Sequence, residues 1–279
     1  MSEENQSLPA YSQPFLSGSI CELASSGPLA GITPEWAWGG STGKGVKVAV
    51  VDTGIEHDHP AVGGMVRGGV VVEWDESLED KLRYDPDEHP IDVAGHGTGC
   101  AGIIHQIAPE AELYSVRVLG TNMSGRAWQF GGGVDWSIEN GMDVVNLSLS
   151  TAKKDYFAMF HSLTDDAYFK NVMLVSAASN FDEPSMPSLY AALFSVSSHA
   201  GKDPFTYYYN PNPPVEFGAP GIDLRVAWKD HSYVIATGNS FAAPHIAGII
   251  TLIRAKHPEL TPFQIKSVLW ACAANVHRK

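Results

Sequence analysis

A doubly wound parallel α/β sheet with helices on both faces is the fold class the sequence predicts, and three observations predict it. Short, β-branched apolar runs recur along the chain, as strands buried on both faces require. Helix-length segments separate them, in the alternation that builds βαβ units. No internal repeat and no second apolar core appear, so a single domain is expected.

Taken in order, residues 1–32 are rich in Ser, Pro and Gly without a sustained period, which predicts an N-terminal extension ahead of a folded domain at 33–279. The first strand is predicted at 46–51, a nearly continuous Val-rich run. Residues 73–92 then carry nine carboxylates against Lys81 and Arg83. Such a run reads as a solvated face, or else as a loop that overhangs a cleft and favours basic substrates or cations. Further strands are predicted at 113–118, 144–149, 172–177 and 194–197, and helices at 96–105, 127–140, 155–170 and 241–257. The helix at 127–140 is weakened on paper by Gly131-Gly132-Gly133.

Bulk properties narrow the function. The 279 residues carry a net charge of −13, which argues against a nucleic-acid or anionic-membrane partner. The longest apolar runs fall far short of a membrane span. The first residues, MSEENQSLPAYSQPF, have neither a basic start nor an apolar h-region, so a cytoplasmic location is expected. Cys21, Cys100 and Cys272 are odd in number and widely spaced, and suggest neither a disulfide framework nor a zinc site.

In doubly wound sheets, chemistry gathers at the carboxyl ends of strands. The run at 46–51 leads into Asp52-Thr53-Gly54, a carboxylate at a strand end that reads equally well as an Asx turn. The run at 172–177 leads into Ala178-Ser179-Asn180, which puts a side-chain amide at another strand end. His96 opens a helix among glycines that let other groups approach closely, although a lone histidine is more often structural. Ser240, in Gly-Asn-Ser-Phe-Ala-Ala-Pro-His, stands at the start of a helix in which Ile246, Ile249, Ile250 and Ile253 share a face. There it is either an N-cap or a nucleophile whose developing anion the helix N–H groups would hold.

Asp52, His96 and Ser240 follow the chain order acid, base, alcohol that subtilisin uses. The segments VAVVDTGIEHDHP, GHGTGCAG, APEAELYSVRVL, DVVNLSLS and GNSFAAPHIAG also fall in family order. Over residues 33–274 the chain thus resembles the subtilisin-like serine proteases. The resemblance implies their single-domain fold and peptide-bond hydrolysis through an acyl-enzyme. Ser240 would be the nucleophile, His96 its base, Asp52 the group that orients His96, and Asn180 the oxyanion donor. It also implies that Ser124, Gly125 and Arg126 face Ser148, Leu149 and Ser150 across an extended peptide or protein substrate. Ala177, Ala178 and Ser179 would line the same channel.

Several positions depart from the family pattern. Ser150 and Ser179 stand where glycine is frequent, which predicts a narrower or more polar pocket. Ala127 replaces a common large aromatic, which predicts a more open pocket upstream. Cys100 is expected as a buried small apolar residue, not a reactive thiol. Residues 103–107 take the place of the calcium loop of secreted relatives, so no cofactor is expected to be required, no metal residues are assigned, and only weak calcium binding is left open. Leu8-Pro9-Ala10-Tyr11 is faintly similar to the cleft-blocking arm of intracellular subtilisins; a blocking arm would release activity on deletion.

Two alternatives accompany the endopeptidase expectation. One is a dedicated precursor-processing protease or transpeptidase, in which an amine intercepts the acyl-enzyme. The other is a peptide-binding pseudoprotease, which the complete acid, base and alcohol set disfavours. The chain stops soon after a helix, at Val276-His277-Arg278-Lys279, as one domain of a larger parent protein would.

Overall fold

The computed structural model describes residues 8–25 and 27–278. In chain order the strands are β1 (Leu23–Ser25), β2 (Lys47–Asp52), β3 (Val66–Trp74), β4 (Leu82–Asp87), β5 (Glu112–Arg117), β6 (Val144–Leu147) and β7 (Met173–Ala177). They continue with β8 (Phe194–His199), β9 (Tyr208–Tyr209), β10 (Phe217–Pro220), β11 (Leu224–Trp228), β12 (Ser232–Ala236) and β13 (Val276–Arg278). The helices are α1 (Pro34–Trp38), α2 (His96–Ile107), α3 (Ala127–Glu139), α4 (Phe157–Phe169), α5 (Asn239–Lys256) and α6 (Pro262–Cys272).

Nine strands form the central sheet in the order β4-β3-β5-β2-β6-β7-β8-β10-β9. Those from β3 to β10 run parallel, and β4 and β9 close the edges antiparallel. Strand β2 shows why both faces are covered. Alternate side chains of a strand leave on opposite faces. Val48 and Val50 enter an apolar cluster with α2 and α5, whereas Ala49 and Val51 enter a second one with α3 and α4. Helix α5 is buried from Asn239 to Ile253 and lies against α2, β6, β7, β8 and β10. Its length of apolar contact holds its first turn rigidly at the sheet's carboxyl edge.

The five predicted strands are β2, β5, β6, β7 and β8, and the four predicted helices are α2 to α5. The glycine run does not break α3; it lets the helix close on the sheet. A Cβ at Gly133 would stand 2.6 Å from the Val118 side chain. The acidic stretch is largely a hairpin of β3 and β4, in which Val70 and Val72 are buried. Glu73, Asp75 and Asp85 gather around Arg83 on its exposed side. Residues 8–25 pack along the protein: Phe15 is buried, and β1 pairs in parallel with β13. Residues 1–7 of the expected extension lie outside the described residues, as do Ser26 and Lys279.

Candidate active site

Asp52 is the last residue of β2, and His96 is the first of α2. The two are brought together because α2, two strands further along the chain, packs back against β2. His96 Nδ1 stands 2.9 Å from both Asp52 carboxylate oxygens. Asp52 is fully buried and accepts a further bond from the Thr53 N–H at 2.7 Å. The rings of Phe241 and Trp228 flank the imidazole at centroid distances of 5.1 and 6.4 Å. Burial works against a charged His96, but the charge and hydrogen bond of Asp52, with Asp92 behind it, outweigh burial. The imidazolium is therefore held above its ordinary 6.5.

Ser240 is the second residue of α5, after Asn239, and Gly238 occupies the cap position with no side chain to bond the helix. The capping role considered for Ser240 is therefore excluded; its hydroxyl lines the cleft. Asn180 Oδ1 accepts the Asn239 N–H at 2.8 Å, which turns Nδ2 toward the same opening. A Cβ at Gly238 would stand 3.1 Å from Ser240 Oγ and 3.5 Å from Asn180 Nδ2, so hydroxyl and amide converge on one point. The Ser240 N–H, in the first turn of α5, has no intrahelical acceptor. Ser240 Oγ and His96 line the same cleft without a hydrogen bond between them. Such bonds are often long until a substrate is seated.

Asp92 was counted with the acidic stretch, yet it is buried and organises the site. Its Oδ1 accepts from Thr53 Oγ1, Ala94 N and Gly95 N at 2.7, 3.0 and 2.6 Å. Its Oδ2 accepts from Thr98 N and Thr98 Oγ1 at 2.8 and 2.7 Å. Gly95 has no side chain to cap α2, and Asp92 supplies the acceptor from upstream while tying α2 to the residue after Asp52. A carboxylate just ahead of a helix start is an N-terminal signal that could have found this residue, but among nine carboxylates it reads as part of the charge run. Asp92→Ala is expected to cost about 3–5 kcal/mol, because several buried donors lose a charged acceptor. Urea unfolding measures it; an unchanged midpoint would show that water substitutes fully.

The cleft has a volume of about 660 Å³, and its walls include Ser148, Leu149, Ser150, Ala177, Ala178 and Ser179 together with His96, Asn180 and Ser240. Ser124, Gly125 and Arg126 line an adjoining cavity of about 540 Å³, which shares Leu149 and Ser150 with the first. All the residues expected along a substrate thus fall on one continuous surface. The Ser148 hydroxyl faces inward, donating to the Ser240 carbonyl at 2.8 Å. Ala127 lines the adjoining cavity with Trp128 and Tyr156, packed edge to face at 5.9 Å, and with Arg126 over Trp74. None of the nine carboxylates of residues 73–92 lines the 660 Å³ cleft; its acidic residue is Glu183.

Cys100 is fully buried, with Sγ 3.4 Å from Ser148 Oγ and 3.5 Å from the Ser240 carbonyl oxygen. Burial, reinforced by Asp52, pushes the thiol well above its usual range, so it stays protonated and unreactive. Residues 103–107 are the last turns of α2. Among the described residues, two groups have metal-ligand spacing: Asp52 with His96 and Cys100, and Glu56 with Asp58 and His231. The second is an exposed ion pair, in which His231 donates to Asp58 at 3.2 Å and each partner favours the other's charge. No described helix is long and apolar enough to cross a membrane.

The family model described as "Subtilase family" matches residues 43–279. The minor extracellular protease Epr of Bacillus subtilis (strain 168) is 33% identical over 252 residues, covering 85% of this chain. M-protease of Shouchella clausii (strain KSM-K16) is 32% identical over 242 residues, covering 82%. The chain spans only 36% of the former and 59% of the latter. Among solved structures, a cold adapted subtilisin-like serine proteinase superposes with a TM-score of 0.68 at 28% identity, covering 83% of each chain. A buried acid–imidazole pair, a serine at a helix start beside an amide, and this match over most of the sequence lead to one conclusion: the chain belongs to the subtilase family.

Proposed function

We propose that the protein is a serine endopeptidase that hydrolyses extended peptide segments through a Ser240 acyl-enzyme. The observation that carries this reading is the contact of His96 with both Asp52 oxygens at the wall of the cleft that also holds Ser240 and Asn180. Ser240 Oγ attacks the carbonyl carbon while His96 Nε2 accepts the hydroxyl proton. Asp52 fixes the tautomer with Nδ1–H inward and balances the imidazolium. Asn180 Nδ2 and the Ser240 N–H receive the charge on the carbonyl oxygen, here in a helix first turn where N–H groups are free. His96 then protonates the departing amine, the C–N bond breaks, and water attacks the ester by the same route in reverse. The peptide lies as an added strand between residues 124–126 and 148–150.

Cleavage of a random peptide library, with Ser240→Ala as the control and products weighed by mass spectrometry, tests the proposal. Hydrolysis products from the parent chain alone support it. Ligated products would shift the reading to transpeptidation, and no products would remove it.

The pH profile follows from His96. Protonated, it cannot accept the Ser240 proton, so kcat/KM falls as pH drops through its pKa. Because that pKa is raised, the acid limb is expected to turn over above 6.5. The linkage to folding has the opposite sign. The ion pair stabilises the fold fully below the unfolded-state value and its contribution is lost as pH rises through the folded one. An acid limb centred below 6.5 would contradict the Asp52–His96 pairing.

A further inference from the structure

We infer that the N-terminal arm is a positioning element for the oxyanion donor, gripping the Asn180 peptide directly and bracing it through Asn239; the inference rests on the serine endopeptidase reading above. None of the described residues of the arm lines the 660 Å³ cleft; the segment docks instead against Ser197, Asn239 and the loop that carries Asn180.

Four backbone and side-chain contacts define the docking. The Ala10 N–H donates to the Asn180 carbonyl at 3.1 Å. The Ala10 carbonyl accepts from Asn239 Nδ2 at 3.0 Å and stands 3.2 Å from Ser197 Oγ. Ser12 Oγ lies 3.4 Å from the same Ser197 hydroxyl. The segment is anchored downstream by Phe15, buried against Ala178 and Val215 and in contact with Gly218.

Asn239 makes these contacts matter for chemistry. It is fully buried and directly precedes Ser240. Its Oδ1 accepts the Ser198 N–H at 2.9 Å, which fixes the orientation of the amide. Its Nδ2 then faces the carbonyls of Ser179 at 2.9 Å, Ala178 at 3.3 Å and Ala10. One carboxamide therefore ties the nucleophile's helix, strand β8, the loop into Asn180 and the arm. Asn180 itself is exposed, and inside the protein its peptide group is gripped by Ala10 and its side chain by the Asn239 N–H. Without the arm, Asn180 keeps only the second grip. A donor that wanders stabilises charge in the transition state less, while binding of the neutral substrate is little affected.

The prediction is opposite to that of a cleft-blocking arm. Deleting residues 1–11 should lower kcat about tenfold, short of the 10²–10³ expected for loss of the oxyanion amide itself. KM should move less than twofold, and the acid limb of the pH profile should not move. The decisive measurement is a double-mutant cycle with Asn180→Ala. If the arm acts through Asn180, its deletion changes kcat little in the Asn180→Ala background. Should the shortened chain not fold, Ala10→Pro in the full chain removes the N–H to Asn180 alone and enters the same cycle. A rise in kcat on deletion, an unchanged kcat, or the same fold-loss with and without Asn180 would each overturn the inference. Failure of the full chain to cleave any peptide would instead remove the endopeptidase reading on which it rests.

Discussion

Ser240→Ala is expected to lower kcat by about 10⁶, the size seen when the nucleophile or its base is removed from a subtilisin. The folded state should hardly notice. The Ser240 hydroxyl neither caps α5 nor bonds His96, and what the structure uses of this residue is its carbonyl, which accepts from Ser148. Stability is thus expected to stay within about 0.5 kcal/mol of the parent, the usual range for a change that touches no named stabilising feature. Loss of activity without loss of fold separates a catalytic group from a structural one. His96→Ala should cost about as much, and the double variant scarcely more, because nucleophile and base act as one unit.

The second large effect is expected at Asn180. Asn180→Ala should lower kcat by about 10²–10³ and leave KM nearly unchanged, as removal of the corresponding donor does in a subtilisin. The amide faces the point on which Ser240 Oγ also converges, and a neutral substrate carbonyl gains little there before it becomes an oxyanion. Steady-state kinetics on one chromogenic peptide separate the two constants. A rise in KM with kcat preserved would assign Asn180 to ground-state binding.

How much of this was written in the sequence depends on how local the cause was. Strands β2 and β7 announce themselves because both faces are buried, so nearly every residue is apolar. Asp52, His96, Asn180 and Ser240 are drawn out by their places at strand and helix ends, and the resemblance to the subtilisin-like serine proteases supplies their roles. Strand β3 alternates buried and exposed residues and runs into a carboxylate-rich segment, so charge masked its period. Strands β9 to β12 are short and take their meaning from partners that composition cannot name. Asp92 hid for the same reason: among nine carboxylates, only the fold shows which one is buried against five donors. The arm is the extreme case. Leu8-Pro9-Ala10-Tyr11 has no periodicity, and its contribution comes from the backbone of Ala10, which any residue other than proline would supply.

The most direct test of the account is active-site labelling with a fluorophosphonate, followed by mass mapping of the modified peptide. Such a reagent phosphonylates a serine whose proton is taken by a neighbouring base, and fluoride leaves. The account predicts one label per chain, on Ser240, and its loss in His96→Ala. A peptide-cleaving protein that takes no label, or takes it on another residue, would contradict the assignment of Ser240 as nucleophile.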